Sequence, residues 1–108
     1  MKYKSKQTIV DGVAFASKKE AGRYKQLKEM ENNKTISNLE LQPAFVLQES
    51  FTKNKKKYRP IIYVADFRYI ENGLTIVEDV KGFKTPEYRL KKKLLLYKYD
   101  GFEFREFR

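Results

Sequence analysis

The spacing of the apolar residues follows a helical period in the first third of the chain. Four apolar residues recur three residues apart, at Ala21, Tyr24, Leu27 and Met30. Ser17 precedes this run, and Glu20 follows Ser17 by three residues, which is the pattern of a capping box at the start of a helix. The sequence therefore predicts a helix that begins near Ser17 and ends at Asn32-Asn33.

Beyond the first helix the apolar residues alternate with the period of two that is typical of a strand. The alternating positions are Leu39, Leu41, Phe45 and Leu47. Pro43 interrupts them, and because proline has no backbone N–H to donate, it indicates a sheet edge or a bulge. Two more strands are predicted at about residues 60–71 and 74–81, joined by the two-residue turn Asn72-Gly73.

Three further elements complete the predicted order. Asp11-Gly12 is a turn signal between two short apolar runs, which predicts an N-terminal hairpin. Thr85-Pro86-Glu87 predicts the start of a second helix, and Asp100-Gly101 its end. The apolar side of that helix is assigned to Leu90, Leu94 and Tyr97. With a last strand at residues 102–107, the order after the hairpin is αβββαβ. This order predicts a single domain over residues 1–108. Its fold class is α/β, more specifically α+β, with helices covering a mixed sheet.

The Asn72-Gly73 turn also predicts which residues face each other. A two-residue hairpin loop fixes the strand register, and this register places Asp66 opposite Asp79. Paired residues share a face, with Cβ atoms about 4.5–5.5 Å apart. Lys81 lies two residues beyond Asp79 and therefore points to the same face. Strand alternation places Tyr63 and Glu78 on the opposite face, where Glu78 is interpreted as a structural ion-pair partner.

Two carboxylates and an ammonium on one face of a sheet favour a functional site. Facing carboxylates repel each other, and a hard divalent cation such as Mg²⁺ relieves that repulsion. The alternative is a buried Asp–Lys salt bridge with the second aspartate near solvent, and a bulge between Asp66 and Asp79 would break the register. Glu20 lies on the side of the first helix that faces the sheet, so it is either a further ligand or only the capping-box acid of Ser17.

Composition narrows the class of function. The 108 residues carry a net charge of +10 and contain no cysteine and no histidine. The charge favours polyanionic partners, above all nucleic acid. The missing residue types exclude thiolate nucleophiles, zinc fingers and histidine bases. No apolar run approaches the roughly 20 residues of a membrane span, so we expect a cytoplasmic protein without a membrane partner.

Two cationic segments are candidates for nucleic-acid binding, with solvated charge as the alternative for each. A predicted loop carries the first set, Lys53, Lys55, Lys56, Lys57 and Arg59. The second helix carries the other set, Arg89, Lys92 and Lys93. Gln42, before Pro43, is a weak further candidate, since most strand glutamines are ordinary polar residues.

The acidic positions resemble a known signature. Asp66, then twelve intervening residues and Asp79-Val80-Lys81, is similar to the (D/E)…(D/E)xK pattern of the PD-(D/E)xK nuclease superfamily. Glu20 matches the acid that resolvase-like members place on the first helix, and the αβββαβ order resembles their restriction-endonuclease-like core. Ala65 stands where the name-giving motif has proline, and Asp79 where glutamate is commoner.

Several segments also resemble a narrower, phage-encoded group that is catalogued as a domain of unknown function and placed among Holliday-junction-resolvase-like endonucleases. These segments are residues 17–21, 41–43, 65–67 and 77–82. The resemblance implies that Glu20, Asp66, Asp79 and the Val80 carbonyl bind Mg²⁺, with Mn²⁺ as a substitute. It also implies that Lys81 positions the attacking water, that cleavage leaves a 5′-phosphate, and that a homodimer acts on DNA in phage recombination or DNA processing.

Besides a phage structural or host-interaction protein, the sequence leaves three functions open. The first is an endonuclease selective for branched DNA, such as a Holliday junction. The second is a nicking, restriction-like or transposase-type endonuclease on ordinary duplex. The third is a non-catalytic nucleic-acid-binding module with a degenerate nuclease fold, although binding alone does not require two facing carboxylates.

Overall fold

Two helices cover the opposite faces of a mixed sheet in the computed structural model, which describes residues 7–108. The elements in chain order are β1 (Thr8–Val10), β2 (Val13–Phe15), α1 (Lys18–Asn32), β3 (Ser37–Leu41), β4 (Ala44–Gln48), β5 (Phe51–Lys53), β6 (Lys56–Tyr58), β7 (Ile61–Val64), β8 (Phe67–Glu71), β9 (Leu74–Val80), α2 (Pro86–Lys98) and β10 (Glu103–Phe107). Neither helix of this part of the chain is long and apolar enough to cross a membrane.

The central sheet has the strand order β10-β9-β8-β3. β9 pairs in parallel with β10, whereas β8 pairs antiparallel with both β9 and β3. The N-terminal hairpin of β1 and β2 is also present. The predicted α+β class, with two helices, a mixed sheet and this hairpin, is therefore confirmed.

The first helix forms as the sequence predicts. Ser17 is its N-cap and accepts a hydrogen bond from the Glu20 amide on Oγ at 3.1 Å. The helix buries three side chains, Ala21, Tyr24 and Leu27, against the side of the sheet that carries Phe67 and Ile76. The helical apolar spacing thus marks the buried face of α1.

The second helix turns a different side to the sheet than predicted. Tyr88 and Leu95, seven residues apart, are its buried residues and pack with Val77. The predicted apolar side is exposed instead, with Leu90 59%, Leu94 37% and Tyr97 90% accessible. Periodicity could not separate these options, because Leu94-Leu95-Leu96 offers a leucine on three adjacent sides of the helix.

Two of the predicted strands are each divided in two. The first is interrupted at Gln42-Pro43 and becomes β3 and β4, and the second is interrupted at Ala65-Asp66 and becomes β7 and β8. The two interruptions lie opposite each other, since the Gln42 amide donates to the Asp66 carbonyl at 2.9 Å and the Ala65 amide to the Pro43 carbonyl at 3.0 Å. Gln42 has a φ of +53°, a left-handed conformation that turns the chain sharply. We call this double interruption the kink.

The kink reverses the alternation of side chains along the second of these strands. Tyr63 and Ala65 pack with α2, whereas Phe67 packs with α1. The prediction that Tyr63 lies on the face opposite to Asp79 is therefore wrong. It assumed an unbroken strand through residues 60–71.

The predicted cationic loop is a hairpin. β5 and β6 pair antiparallel around the turn residues Asn54 and Lys55, which have φ values of +53° and +64°. Both turn residues are left-handed, as in the tight turns that match the twist of a two-stranded ribbon. The hairpin continues beyond β4 and β7 and is exposed throughout.

A buried ion pair fixes α1 to the sheet, as the interpretation of Glu78 predicts. Glu78 is 1% exposed, and Arg23 donates to both of its carboxylate oxygens, at 2.6 and 3.0 Å. Tyr69 donates a third hydrogen bond to Glu78 at 2.6 Å. Burial and this hydrogen bond raise the pKa of Tyr69 to about 12, so it remains a donor at neutral pH.

We expect Arg23→Met to lower the free energy of unfolding by about 3–5 kcal/mol, because it leaves the Glu78 charge buried without its partner. Urea denaturation measures the change. The matched control is Arg68→Met, which breaks an exposed pair with Glu40 and should lower the free energy of unfolding by less than about 1 kcal/mol. Equal losses in the two variants would contradict the assigned role of Arg23.

Candidate functional site

The backbone amides at the kink hold Asp66 and Asp79 together. The Asp66 amide donates to Asp79 Oδ1 at 2.8 Å, and the Val80 amide donates to Asp66 Oδ2 at 2.7 Å. The ladder pairs Phe67 with Glu78, so one more step in the same register brings Asp66 opposite Asp79. The predicted register is confirmed up to Phe67, and Asp66 then leaves the ladder with its carboxylate turned onto the neighbouring strand.

Asp79 is a buried acid whose hydrogen bonds come from neutral groups. It is 1% exposed, and besides the Asp66 amide it accepts a hydrogen bond from the Tyr63 hydroxyl on Oδ2. Burial raises its pKa to about 6, although the Asp66 amide and the nearby Lys81 charge oppose the rise. The buried environment therefore disfavours the ionised form of this carboxyl.

Glu20 supplies a third carboxyl to the same place. Its backbone amide donates to the N-cap residue Ser17, while its side chain lies within hydrogen-bonding reach of the Asp66 carboxyl. Burial, that hydrogen bond and the charge of Asp66 raise the Glu20 pKa to about 7. From the sequence, Glu20 is either a ligand or only the capping-box acid of Ser17. The contact with Asp66 favours a place in the site, because the helix cap involves only the Glu20 backbone amide.

Lys81 lines a cleft together with Asp79 but forms no salt bridge with the acids in residues 7–108. Its charge lowers the pKa of both Glu20 and Asp79. Its Nζ lies 4.6 Å from the centroid of the Tyr88 ring. Within residues 7–108 no salt bridge includes Glu20, Asp66 or Asp79, so the alternative of a buried Asp–Lys pair is not what this geometry shows.

The acids open onto two clefts on either side of the kink. A cleft of about 200 Å³ is lined by Glu20, Asp66 and Gln42, among others. A second cleft of about 280 Å³ is lined by Asp79 and Lys81 together with residues of α2. Asp66 lines the first cleft and Asp79 the second, and the Asp66 amide donates to the Asp79 carboxylate between them.

The donor set suits a hard cation, although the acids are not arranged as a finished cation site. Carboxylate oxygens are the ligands that Mg²⁺ prefers, and burial is the main reason that the pKa values of Glu20 and Asp79 are raised. Among the described residues no three acids already surround one cation position. Hydrogen bonds engage one oxygen of Asp66 and both oxygens of Asp79. Each of these oxygens keeps a lone pair, so the residues fit a hard cation by their donor chemistry.

Val80, whose carbonyl the resemblance assigns to the metal, lies at this centre as well. Its side chain packs with α1, and its amide is engaged by Asp66. The sequence-predicted residues Glu20, Asp66, Asp79, Val80 and Lys81 therefore come together in the structure.

Three residues near the site were not singled out from the sequence. Tyr63 was missed because the kink reverses the alternation of side chains along its strand. Pro43 was the sequence signal for such an interruption. Tyr88 donates to Glu106 Oε2 at 2.5 Å, and Glu106 also pairs with Lys84 and Lys92 at 2.9 and 3.1 Å. These contacts lower the pKa of Glu106 to about 2. No sequence signal pointed to Glu106, since its partners come from a different element.

The predicted nucleic-acid-binding residues fall into two separate groups. The first group is exposed on the β5–β6 hairpin and just beyond it, at Lys53, Lys55, Lys56, Lys57 and Arg59. The second group lines a cleft of about 370 Å³ on α2, at Arg89, Lys92 and Lys93. Lys92 is engaged there by Glu106, whereas Arg89 and Lys93 are exposed.

Comparison with known proteins identifies the family. Residues 1–106 match the family described as protein of unknown function (DUF1064), and the chain therefore belongs to it. A search of curated proteins found no match.

Proposed function

For this member of DUF1064, a family described as of unknown function, we propose a Mg²⁺-dependent endonuclease that hydrolyses DNA phosphodiester bonds. One observation carries the proposal. Three carboxyls, those of Glu20, Asp66 and Asp79, lie together without a salt-bridge partner in the described part of a chain that has 24 lysines and arginines. A divalent cation supplies the missing positive charge, which a merely structural cluster would take from an arginine, as Glu78 does.

The arrangement suits phosphodiester hydrolysis. When bound, Mg²⁺ (or Mn²⁺) neutralises charge on a phosphate oxygen and makes a water molecule more acidic. Glu20, Asp66, Asp79 and the Val80 carbonyl would hold the ion. Lys81 would orient the attacking water and stabilise the charge that develops on the phosphate. The Tyr63 hydroxyl and the Asp66 amide would fix the Asp79 carboxylate in one orientation.

A nucleic-acid substrate accounts for the rest of the charge. The net charge of +10 attracts a polyanion despite the local acidic patch. The two cationic groups flank the patch along the chain, because the hairpin precedes β7 and α2 follows Lys81. We place the enzyme in the cytoplasm of a bacterial host, in phage DNA recombination or processing, with branched DNA as the preferred substrate. Cleavage of ordinary duplex by the same site is the second candidate function.

A homodimer is part of the proposal. Leu90, Leu94 and Tyr97 form an exposed apolar stripe along α2, which we name the α2 stripe. Exposed apolar patches of this kind mark interaction surfaces, and a twofold axis there would give a self-complementary contact. A dimer would also bring two sites to one DNA molecule, as cutting both strands requires.

We expect the wild-type protein to cut a labelled four-way junction in Mg²⁺ or Mn²⁺, faster than a linear duplex of the same sequence, and not in chelator. Asp79→Asn should lower the cleavage rate by at least about 100-fold, because several kcal/mol of charge stabilisation is lost. Glu103→Gln, an exposed acid on β10, is the matched control and should cut like wild type. Equal cutting of both substrates would discard the branch preference. Intact binding without cutting would point to a non-catalytic module.

We expect the wild-type protein to have twice the chain mass by light scattering, and Leu90→Glu to be a monomer, since a buried charge would oppose the contact. Leu74→Glu is the control, because Leu74 is similarly exposed (55% against 59%) but lies at the β8–β9 turn. A monomeric wild type, or a dimer that survives Leu90→Glu, would exclude the α2 stripe as the interface.

A further inference from the structure

The β5–β6 hairpin projects from the rest of the protein without packing against it. Every residue from 48 to 62 is exposed, and in the described chain neither strand contacts any helix or strand but its partner. A lone two-stranded hairpin is marginally stable in water. It adds nothing to either apolar core, so the fold gives no reason for its presence.

One face of the hairpin combines rings with positive charge. Phe51 pairs with Tyr58, and their rings stack at 4.8 Å between centroids with an angle of 11°. Lys53 and Lys56 form the next pair on the same face, and Lys56 Nζ lies 5.3 Å from the Tyr58 ring centroid. Both residues are exposed to a similar extent, at 41% and 40%. The hairpin therefore presents aromatic surface to solvent.

The positive charge of the hairpin is not neutralised by the protein. Residues 51–59 contain five cations and no acid. Within residues 7–108 none of the five forms a salt bridge, whereas Lys84, Lys91 and Lys92 on the α2 side all do. The hairpin thus carries five cations without a salt bridge in the described chain, against two, Arg89 and Lys93, in the α2 group, so it is the denser attraction for a phosphate backbone.

We propose that this hairpin binds DNA bases left unstacked at a branch or in a single strand, with Phe51 and Tyr58 stacking on the bases and the lysines holding the flanking phosphates. Rings paired with cations are the means by which proteins bind single-stranded nucleic acid. In a continuous duplex each base is already stacked between its neighbours, so exposed rings gain a partner only where that stacking is broken. The inference rests on the proposed function only in taking DNA as the ligand.

The test is fluorescence anisotropy in chelator, so that binding is read without cleavage. The probes are a labelled single strand, a four-way junction and a linear duplex. Phe51→Val and Tyr58→Val remove a ring but keep a residue that favours strands. Each should weaken binding to the single strand and the junction by about 5- to 100-fold and leave duplex binding nearly unchanged.

Two further variants separate the rings from the charges. The double variant Lys55→Gln/Lys57→Gln should weaken binding to all three probes and reduce the salt dependence of log K for the duplex by about 1 per lysine. Thr52→Val, on the opposite face of the same hairpin, should bind like wild type. Amide chemical shifts of residues 52–57 show whether each variant keeps the hairpin.

The outcomes distinguish this inference from the proposed function. Ring variants that keep the hairpin yet lose no affinity, or lose it equally for all three probes, would overturn base stacking. If the valine variants unfold the hairpin, Tyr58→Phe and Phe51→Tyr take their place. Both keep an aromatic ring, so both must keep the preference for unstacked DNA, and loss of that preference would overturn base stacking. If the protein binds branched DNA selectively but cuts none of the probes, the role of the hairpin would be supported and the proposed nuclease activity would be contradicted.

Discussion

The candidate site depends on the two hydrogen bonds that join Asp66 and Asp79 across the kink. Each bond runs from a backbone amide to a carboxylate, from Asp66 to Asp79 Oδ1 and from Val80 to Asp66 Oδ2. A regular ladder would pair these amides with carbonyl groups and would leave the two side chains side by side as repelling charges. At Gln42-Pro43 and Ala65-Asp66 the strands are interrupted, so the Asp66 amide is free of the regular strand pairing and can donate to a side chain. The same interruption turns Tyr63 toward Asp79 and exposes Asp66 to Glu20.

The contrast between Glu78 and Asp79 shows what distinguishes this centre from an ordinary buried acid. The two residues are adjacent on β9 and each is 1% exposed. Glu78 has an arginine on both oxygens, so its charge is compensated within the fold. Asp79 has only an amide and a hydroxyl, and its pKa rises to about 6. Adjacent residues on opposite faces thus differ, because Glu78 forms a stabilising ion pair and Asp79 has no cationic partner within the described residues.

Much of this could be predicted from the sequence, because local rules decide it. The Asn72-Gly73 turn fixed the register of β8 and β9, and the Ser17 cap fixed the start of α1. The position of Tyr63 could not be predicted, because one kink moves every side chain beyond it to the other face of the sheet. The buried side of α2 could not be predicted either. Three consecutive leucines satisfy several helical faces, and only packing against Phe45 and Val77 selects Leu95. The partners of Glu106 are set by tertiary contact between β10 and α2, which leaves no local signal.

The central claim is that the kink brings Glu20, Asp66 and Asp79 to one divalent cation, and Mn²⁺ binding followed by electron paramagnetic resonance tests it without DNA. We expect the wild-type protein to remove the free Mn²⁺ signal. Binding should weaken as the pH falls through about 7 to 6, because the raised pKa values mean that Glu20 and then Asp79 take up protons in that range. Asp66→Asn should abolish binding, and Glu103→Gln should retain it. A wild type that leaves the Mn²⁺ signal unchanged, or binding that survives Asp66→Asn, would exclude a shared cation site at these three acids.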